Sequence, residues 1–318
     1  MNPLISVVII TYNMSWCIRE TITSVLAQTY PHIEIIVVDD ASTDGTDRIV
    51  GSFGPRVKLI RNVRRTHQSA INRNTGIHAA CGEYVAFLDG DDLWEPEKLA
   101  VQLTAAQQHP TAGLIAVDGI QFLHEDGTIL KPSLYADGIP WPSNDESQRL
   151  NLFKRLLQGC CIDTPSQFLV PKQVLDAVQG FTPDLPTFPG FGCSEDYDFL
   201  IKVATKFDFV LIRRRLVRYR YRPSSLSALA QQENLYFTLG DIPILRRNLA
   251  LADQSKRPII QDIIQSRFAS ACETAVGKGH FGKRTWASKY LLSMAKAYLT
   301  PETARLVTVS LARVWLSH

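Results

Sequence analysis

Apolar positions in the first third of this chain alternate between two periods. Residues 6–10 are almost wholly aliphatic and β-branched, Val7, Val8, Ile9 and Ile10 in succession, the pattern of a strand buried on both faces of a parallel sheet. Ile18, Ile22, Val25 and Leu26 then recur at helical spacing and stop before Pro31. The alternation repeats. It predicts strands over 33–38, 57–60 and 83–88, with helical stretches over 47–53 and 68–80 between them. A further helix begins near Pro96 and carries Leu99, Leu103 and Ala106 on one face. Strand and helix in turn imply a parallel sheet flanked by helices.

Polar residues interrupt this pattern at the strand ends. Thr11-Tyr12-Asn13 follows the first strand, Asp39-Asp40 the second, and Asp89-Gly90-Asp91-Asp92 the strand over 83–88. Ligand crevices of open parallel sheets lie beyond the carboxyl ends of the strands, so these three segments are expected to converge. After Gly113 the periodicity loosens, with strands predicted over 114–122 and 167–170 and an irregular Pro-bearing stretch over 139–143. Glu195 and Asp196 open a helix predicted over 195–206, whose apolar face is Phe199, Leu200 and Val203. Beyond residue 235 the pattern is helical almost throughout, which divides the chain into residues 1–230 and a helical region, 231–318. In its last helix Val307, Leu311, Val314 and Trp315 form an apolar stripe beside Arg305 and Arg313. That stripe leaves docking on the first region, homodimer formation and contact with an anionic membrane all open.

Composition removes several classes of function. With 318 residues, 45% of them hydrophobic and 20% charged, the chain has enough apolar surface for a large core. A net charge of +3 is too small to imply nucleic acid as a partner. Cys17, Cys81, Cys160, Cys161, Cys193 and Cys272 show neither a CxxC pair nor zinc-ligand spacing and are expected as buried, reduced thiols. No secretory leader and no membrane-spanning run is recognisable, so the expected location is cytoplasmic, with attachment at the inner face of the plasma membrane left open.

Asp89 and Asp91 carry the most suggestive chemistry. One residue apart at the end of an extended strand, their carboxylates point to the same side, and oxygen ligands so placed suit Mn²⁺ or Mg²⁺. Gly90 between them lets a substrate approach the backbone closely. The competing explanation is an ordinary Asp-Gly turn, with Asp92 capping the next helix. Residues 213–222 hold the densest positive cluster, in which Arg218, Arg220 and Arg222 share one face of a strand and Tyr219 and Tyr221 the other. A solvated edge strand accounts for it most simply.

Four segments taken together, SVVIITYN at 6–13, VVDDASTDGT at 37–46, RNTG at 73–76 and GEYVAFLDGDD at 82–92, resemble family 2 glycosyltransferases in order and spacing. The resemblance covers about residues 4–227. It implies a GT-A fold, a mostly parallel Rossmann-like sheet flanked by helices, and a nucleotide-sugar donor, commonly UDP-linked. It also implies a divalent metal held by Asp89 and Asp91; the acceptor is expected to be a glycan or a lipid-linked sugar, with a protein left open. Carried over by position, Thr11, Tyr12, Asn13, Asp39 and Asp40 lie at the nucleobase. Asn74 and the Asp89-Gly90 turn are further donor-binding candidates, and Arg73, within a helical stretch, is expected to reach a phosphate or to pair with one of the aspartates, an exposed helical arginine being the alternative. The GFGCSEDYD segment at 190–198 resembles the family's acidic motif, which makes Asp196 the candidate general base and Glu195 its neighbour orienting the acceptor.

Two departures stand out. Arg222 occupies a position where relatives often carry histidine, which implies a fixed charge facing the diphosphate, and the glycines that many relatives have within 64–70 are absent. Nucleotidyl transfer is the competing enzyme class, although Thr11-Tyr12-Asn13 is not the glycine- and lysine- or arginine-rich loop it usually requires. A non-catalytic nucleotide-sugar-binding protein is the third reading, in which loss of the paired acids would be expected; both pairs are present.

Overall fold

A computed structural model describes residues 2–141, 145–183, 185, 195–223, 244–250 and 252–266. The chain separates into two compact units, Met1–Asp184 with Glu195–Ser225, and Leu185–Ser194 with Leu226–His318. In the first unit the elements run β1 (Ile5–Thr11), α1 (Ile18–Leu26), β2 (Ile33–Asp39), α2 (Thr46–Gly51), β3 (Lys58–Arg61), α3 (Ser69–Ala79) and β4 (Tyr84–Asp89). They continue as β5 (Leu93–Trp94), α4 (Lys98–Gln108), β6 (Leu114–Leu123), β7 (Ile129–Lys131), β8 (Ser147–Leu150) and α5 (Phe153–Leu157). The last are β9 (Phe168–Pro171), α6 (Lys172–Val178), α7 (Glu195–Ala204) and β10 (Phe209–Tyr221).

One sheet joins all the strands, in the order β3-β2-β1-β4-β9-β6-β10-β5, with β7 on β6 and β8 on β10. The first half is parallel as expected, β1 lying between β2 and β4 with Thr11 level with Asp39 and Ile10 level with Asp89. This register is why the three polar segments end together. The second half is mixed. Residues 164–167 form a turn at the site end of the sheet, so β9 leaves that end and runs antiparallel to both β4 and β6.

The core explains why α3 lies where it does. Ile5, Val7, Ile9, Ile36 to Val38 and Val85 to Leu88 are all but inaccessible, and each such side chain contributes roughly 1.5–3 kcal/mol on burial. Gly76 allows α3 to close on β1, since a Cβ there would fall 2.2 Å from Val8 Cγ1. One helical turn earlier on the same face stands Arg73, which is thereby carried inward rather than into solvent.

Two sequence expectations are corrected. β10 is not an edge strand: β6 flanks it on one side, β5 and β8 on the other. Its arginine face is covered by aromatic rings, with Arg218 and Arg220 over Phe122 and Arg220 and Arg222 over Trp16. Of the described cysteines, Cys17 and Cys161 are buried, but Cys81 and Cys160 are exposed. The second unit contributes helical residues 244–250 and 257–266. The apolar stripe of Val307, Leu311, Val314 and Trp315, and the boundary near residue 230, lie outside the described residues. None of the described helices is long and apolar enough to cross a membrane.

Candidate active site

A buried guanidinium organises the carboxyl ends of the central strands. Arg73, 4% exposed, gives Nη2 to Asp89 Oδ1 at 2.7 Å and Nη1 to Glu195 Oε1, joining the end of β4 to the start of α7. Burial works against its charge, but the two carboxylates outweigh that and raise its pKa further. Phe181 supports the group from below, its ring 5.3 Å from the Arg73 guanidinium, stacked on Phe199 at 4.3 Å and edge-on to Phe87. Asn74 faces the same loop. Its Nδ2 donates to Phe181 O at 2.8 Å and its Oδ1 accepts from Phe181 N at 2.9 Å. Asn74 therefore clamps the backbone of Phe181 onto α3.

The paired acids after β4 differ from one another. Asp89 is engaged by Arg73 and, at 3.4 Å, by the Thr164 hydroxyl. Asp92 is inaccessible, bonded by Ser166 Oγ at 2.6 Å and Arg220 N at 3.0 Å, and burial raises its pKa well above the carboxylate range. Among the described residues the Asp91 carboxylate has no ion pair and no hydrogen bond from another residue. Desolvation and the charge of Asp89 push it up to about 6, against the opposing charges of Arg222 and Arg220. A cation would relieve this repulsion. No group of three or more His, Cys, Asp and Glu side chains that could hold a metal occurs among the described residues. Two carboxylates nevertheless suit a hard divalent ion that completes its shell with water and phosphate oxygens. Gly90 is required by the chain itself, because a Cβ there would meet Ile10 O at 2.8 Å and Thr11 Oγ1 at 3.0 Å.

At the end of β2 the acids are satisfied internally. Asp39, inaccessible, accepts from Ser42 N and Oγ and pairs with Arg61 Nε at 3.3 Å, while burial raises its pKa. Asp40, 4% exposed, accepts from Asn62 Nδ2, Thr66 N, Thr66 Oγ1 and His67 N at 2.8 to 3.1 Å. Burial alone would raise Asp40, but these bonds prevail and hold it below the ordinary value. Neither forms the solvated turn that an Asp-Asp pair before Ser-Thr-Asp-Gly suggests. Asn13, at φ 51°, ties itself to Ser42 and Thr43. The Thr11 hydroxyl is buried without a hydrogen-bond partner, and Arg65 lies 3.6 Å over the Tyr12 ring.

Asp196 stands at the start of α7 with its Oδ1 accepting from Tyr197 N at 2.7 Å. Desolvation and the adjacent Glu195 carboxylate push it up to about 7, against the opposing charge of Arg73. Glu195, nearly buried, is raised by burial against the same guanidinium. Gly190 and Gly192, which precede this pair, lie outside the described residues. Arg222 stacks 4.3 Å over Trp16 with its Nε buried and unpartnered, and its charge reaches Asp91.

Several residues of the site escape a reading of sequence alone. Arg220 donates Nε to Asp91 O at 2.8 Å and Nη2 to Glu20 Oε2 at 2.7 Å, a role hidden in a run of arginines. Thr164 and Ser166 had a local signal, the T-x-x-Q capping box of residues 164–167.

The model of the family described as Glycosyl transferase family 2 matches residues 6–176. TuaG of Bacillus subtilis strain 168, named as a teichuronic acid biosynthesis glycosyltransferase, is 39% identical over 137 residues, covering 42% of this chain and 54% of that one. An uncharacterised glycosyltransferase of Rickettsia typhi is 30% identical over 239 residues, 74% of this chain and 71% of that one. The chain spans about half the length of TuaG and 31% of the matched Rickettsia felis glycosyltransferase. Among solved structures, residues 1–349 of S. aureus TarS in complex with UDP-GlcNAc align with TM-score 0.69 at 18% identity, over 98% of this chain and 88% of that one. The Pyrobaculum calidifontis mannosyltransferase PcManGT, in complex with GDP-Man and Mn²⁺, aligns with TM-score 0.55 at 18% identity, over 99% and 87%. These neighbours share the GT-A fold. The matched span contains β1, β2 and β4 with the polar segments that close each of them, so the chain belongs to glycosyltransferase family 2.

Proposed function

We propose that this chain transfers a sugar from a nucleotide-diphosphate donor, UDP-linked, to a hydroxyl of a glycan or lipid-linked acceptor, with inversion at the anomeric carbon. One observation carries the reading: Arg73 joins the Asp89 end of β4 to Glu195, so Asp89, Glu195 and Asp196 stand around one buried charge. Asp196, pushed up to about 7, has the basicity to take the acceptor's hydroxyl proton near neutral pH. As that proton passes to the carboxylate, the acceptor oxygen attacks the anomeric carbon and the bond from that carbon to the diphosphate oxygen breaks. Asp91 with Asp89 would hold Mn²⁺ or Mg²⁺, which would supply neutralising charge at the departing diphosphate. Arg222, whose Nε has no hydrogen-bond partner among the described residues and whose charge reaches Asp91, adds a fixed positive charge on the same side. Thr11 and Tyr12 line the base end, with Asp39 and Asp40 holding the loops around it.

Residues 1–230 act in this reading as the catalytic region, while 231–318 dock on it, pair two copies or meet a membrane surface. The name of TuaG supports a role in assembling a cell-surface glycan. Calorimetry with UDP, GDP, dTDP and ADP sugars, with and without Mn²⁺, tests the donor, and NMR of the product tests the stereochemistry. One metal-dependent donor and an inverted product are expected, with Asp196→Asn binding donor but not transferring it. Retention of configuration, or near-normal turnover by Asp196→Asn, would remove Asp196 from the role of base.

A further inference from the structure

The turn carrying Asp89 and Asp91 is gripped from two other elements. Ser166, inaccessible, lies in the turn before β9, and its Oγ accepts from Asp89 N at 3.1 Å while donating to Asp92 Oδ2 at 2.6 Å. Its own backbone is fixed at both ends. Ser166 O accepts from Trp94 Nε1 at 2.9 Å, and Ser166 N donates to Thr164 Oγ1 at 3.2 Å. From β10, Arg220 N holds the other Asp92 oxygen at 3.0 Å, and Arg220 Nε holds Asp91 O at 2.8 Å. Every part of the turn is thus anchored except the Asp91 carboxylate. Only a hydroxyl does what position 166 requires in so small a volume, accepting from an amide and donating to a carboxylate at once.

We propose that Ser166 is a positioning residue for the carboxylate pair, setting the spacing and direction in which Asp89 and Asp91 meet a divalent cation. The role rests on the metal reading of those two acids. An ordinary core hydrogen bond would affect stability and leave cation affinity alone. The distinction is measurable without turnover. Mn²⁺ affinity of the full chain, followed by electron paramagnetic resonance in the absence of donor, is compared for wild type, Ser166→Ala, Ser166→Cys and Asp91→Ala, with UDP affinity in metal-free buffer and circular dichroism alongside. Ser166→Ala is expected to weaken Mn²⁺ about ten- to hundredfold, the range usual for partners of metal ligands, with metal-free UDP binding unchanged. Ser166→Cys keeps the volume with a weak donor and acceptor, so its loss is smaller. Unchanged Mn²⁺ affinity in a folded serine variant, with binding lost in Asp91→Ala, overturns the positioning role and leaves the metal reading standing. Unchanged affinity in Asp91→Ala overturns both. Should Ser166→Ala not fold, Ser166→Cys decides by the same comparison.

Discussion

The acid pairs after β2 and β4 look alike in sequence and differ in charge availability. Asp40 takes four hydrogen bonds from the 62–67 loop and is held below the ordinary carboxylate range. Asp91 feels the charge of Asp89, has no ion pair among the described residues and is pushed up to about 6. The first pair builds the walls of a site; the second presents charge to whatever enters it. Burial costs a carboxylate in both places, and the count of donors decides whether that cost is met within the protein or left for a ligand.

Removing the charge that serves the second pair has the largest expected effect. Arg73→Ala leaves Asp89 and Glu195 facing each other unpaired, and loss of one partner of such a buried pair costs about 3–5 kcal/mol. Chemical denaturation reads that loss, and sugar transfer should vanish with it. A stable, active Arg73→Ala would mean that the acids do not depend on the guanidinium.

The two pairs are then separated by matched substitutions. Asp40→Asn replaces a charged acceptor of four donors and should cost about 1–3 kcal/mol of stability while leaving Mn²⁺ affinity unchanged. Asp91→Asn should do the reverse, abolishing Mn²⁺ binding with stability unchanged or raised, since it removes a repelled carboxylate. Equal losses of stability in the two variants would erase the distinction.

The smallest effect is in pH dependence. Asp196 works as a carboxylate, and its pKa is raised to about 7, so kcat/KM should rise with pH and level off above about 7. Stability has the opposite slope. The unfolded chain releases this proton near 3.8 and the fold retains it to about 7, so the contribution of Asp196 to stability falls as pH rises between those values. In Asp196→Asn that part of the slope should disappear from denaturation curves. A rate that is flat from pH 5 to 8 would show another group taking the proton.

Much of the parallel half of the fold was legible because β1, β2 and β4 are largely buried on both faces and α1 is amphipathic, so period separates those strands from the helices between them. The short strands β5, β7 and β8 were not, since two or three residues carry no period and Ser147–Leu150, SQRL, has no apolar run. At the site, the motifs marked Asp89, Asp91 and Asp196, whereas the holds of Asn74 on Phe181 and of Arg220 on Asp91 had no local signal. Their partners, the backbone of Phe181 and of Asp91, are 107 and 129 residues away.

By itself the sequence determined where polar residues interrupt buried strands, because alternation and strand ends are local properties of the chain. Tertiary structure alone decided which acids stay free. Arg73 reaches Asp89 and Glu195 only because Gly76 lets α3 close on β1, and Asp92 is tied down by bonds from Ser166 and β10. Whether a carboxylate is spent on the fold or left for a ligand depends on donors brought from distant segments, and no local pattern records them.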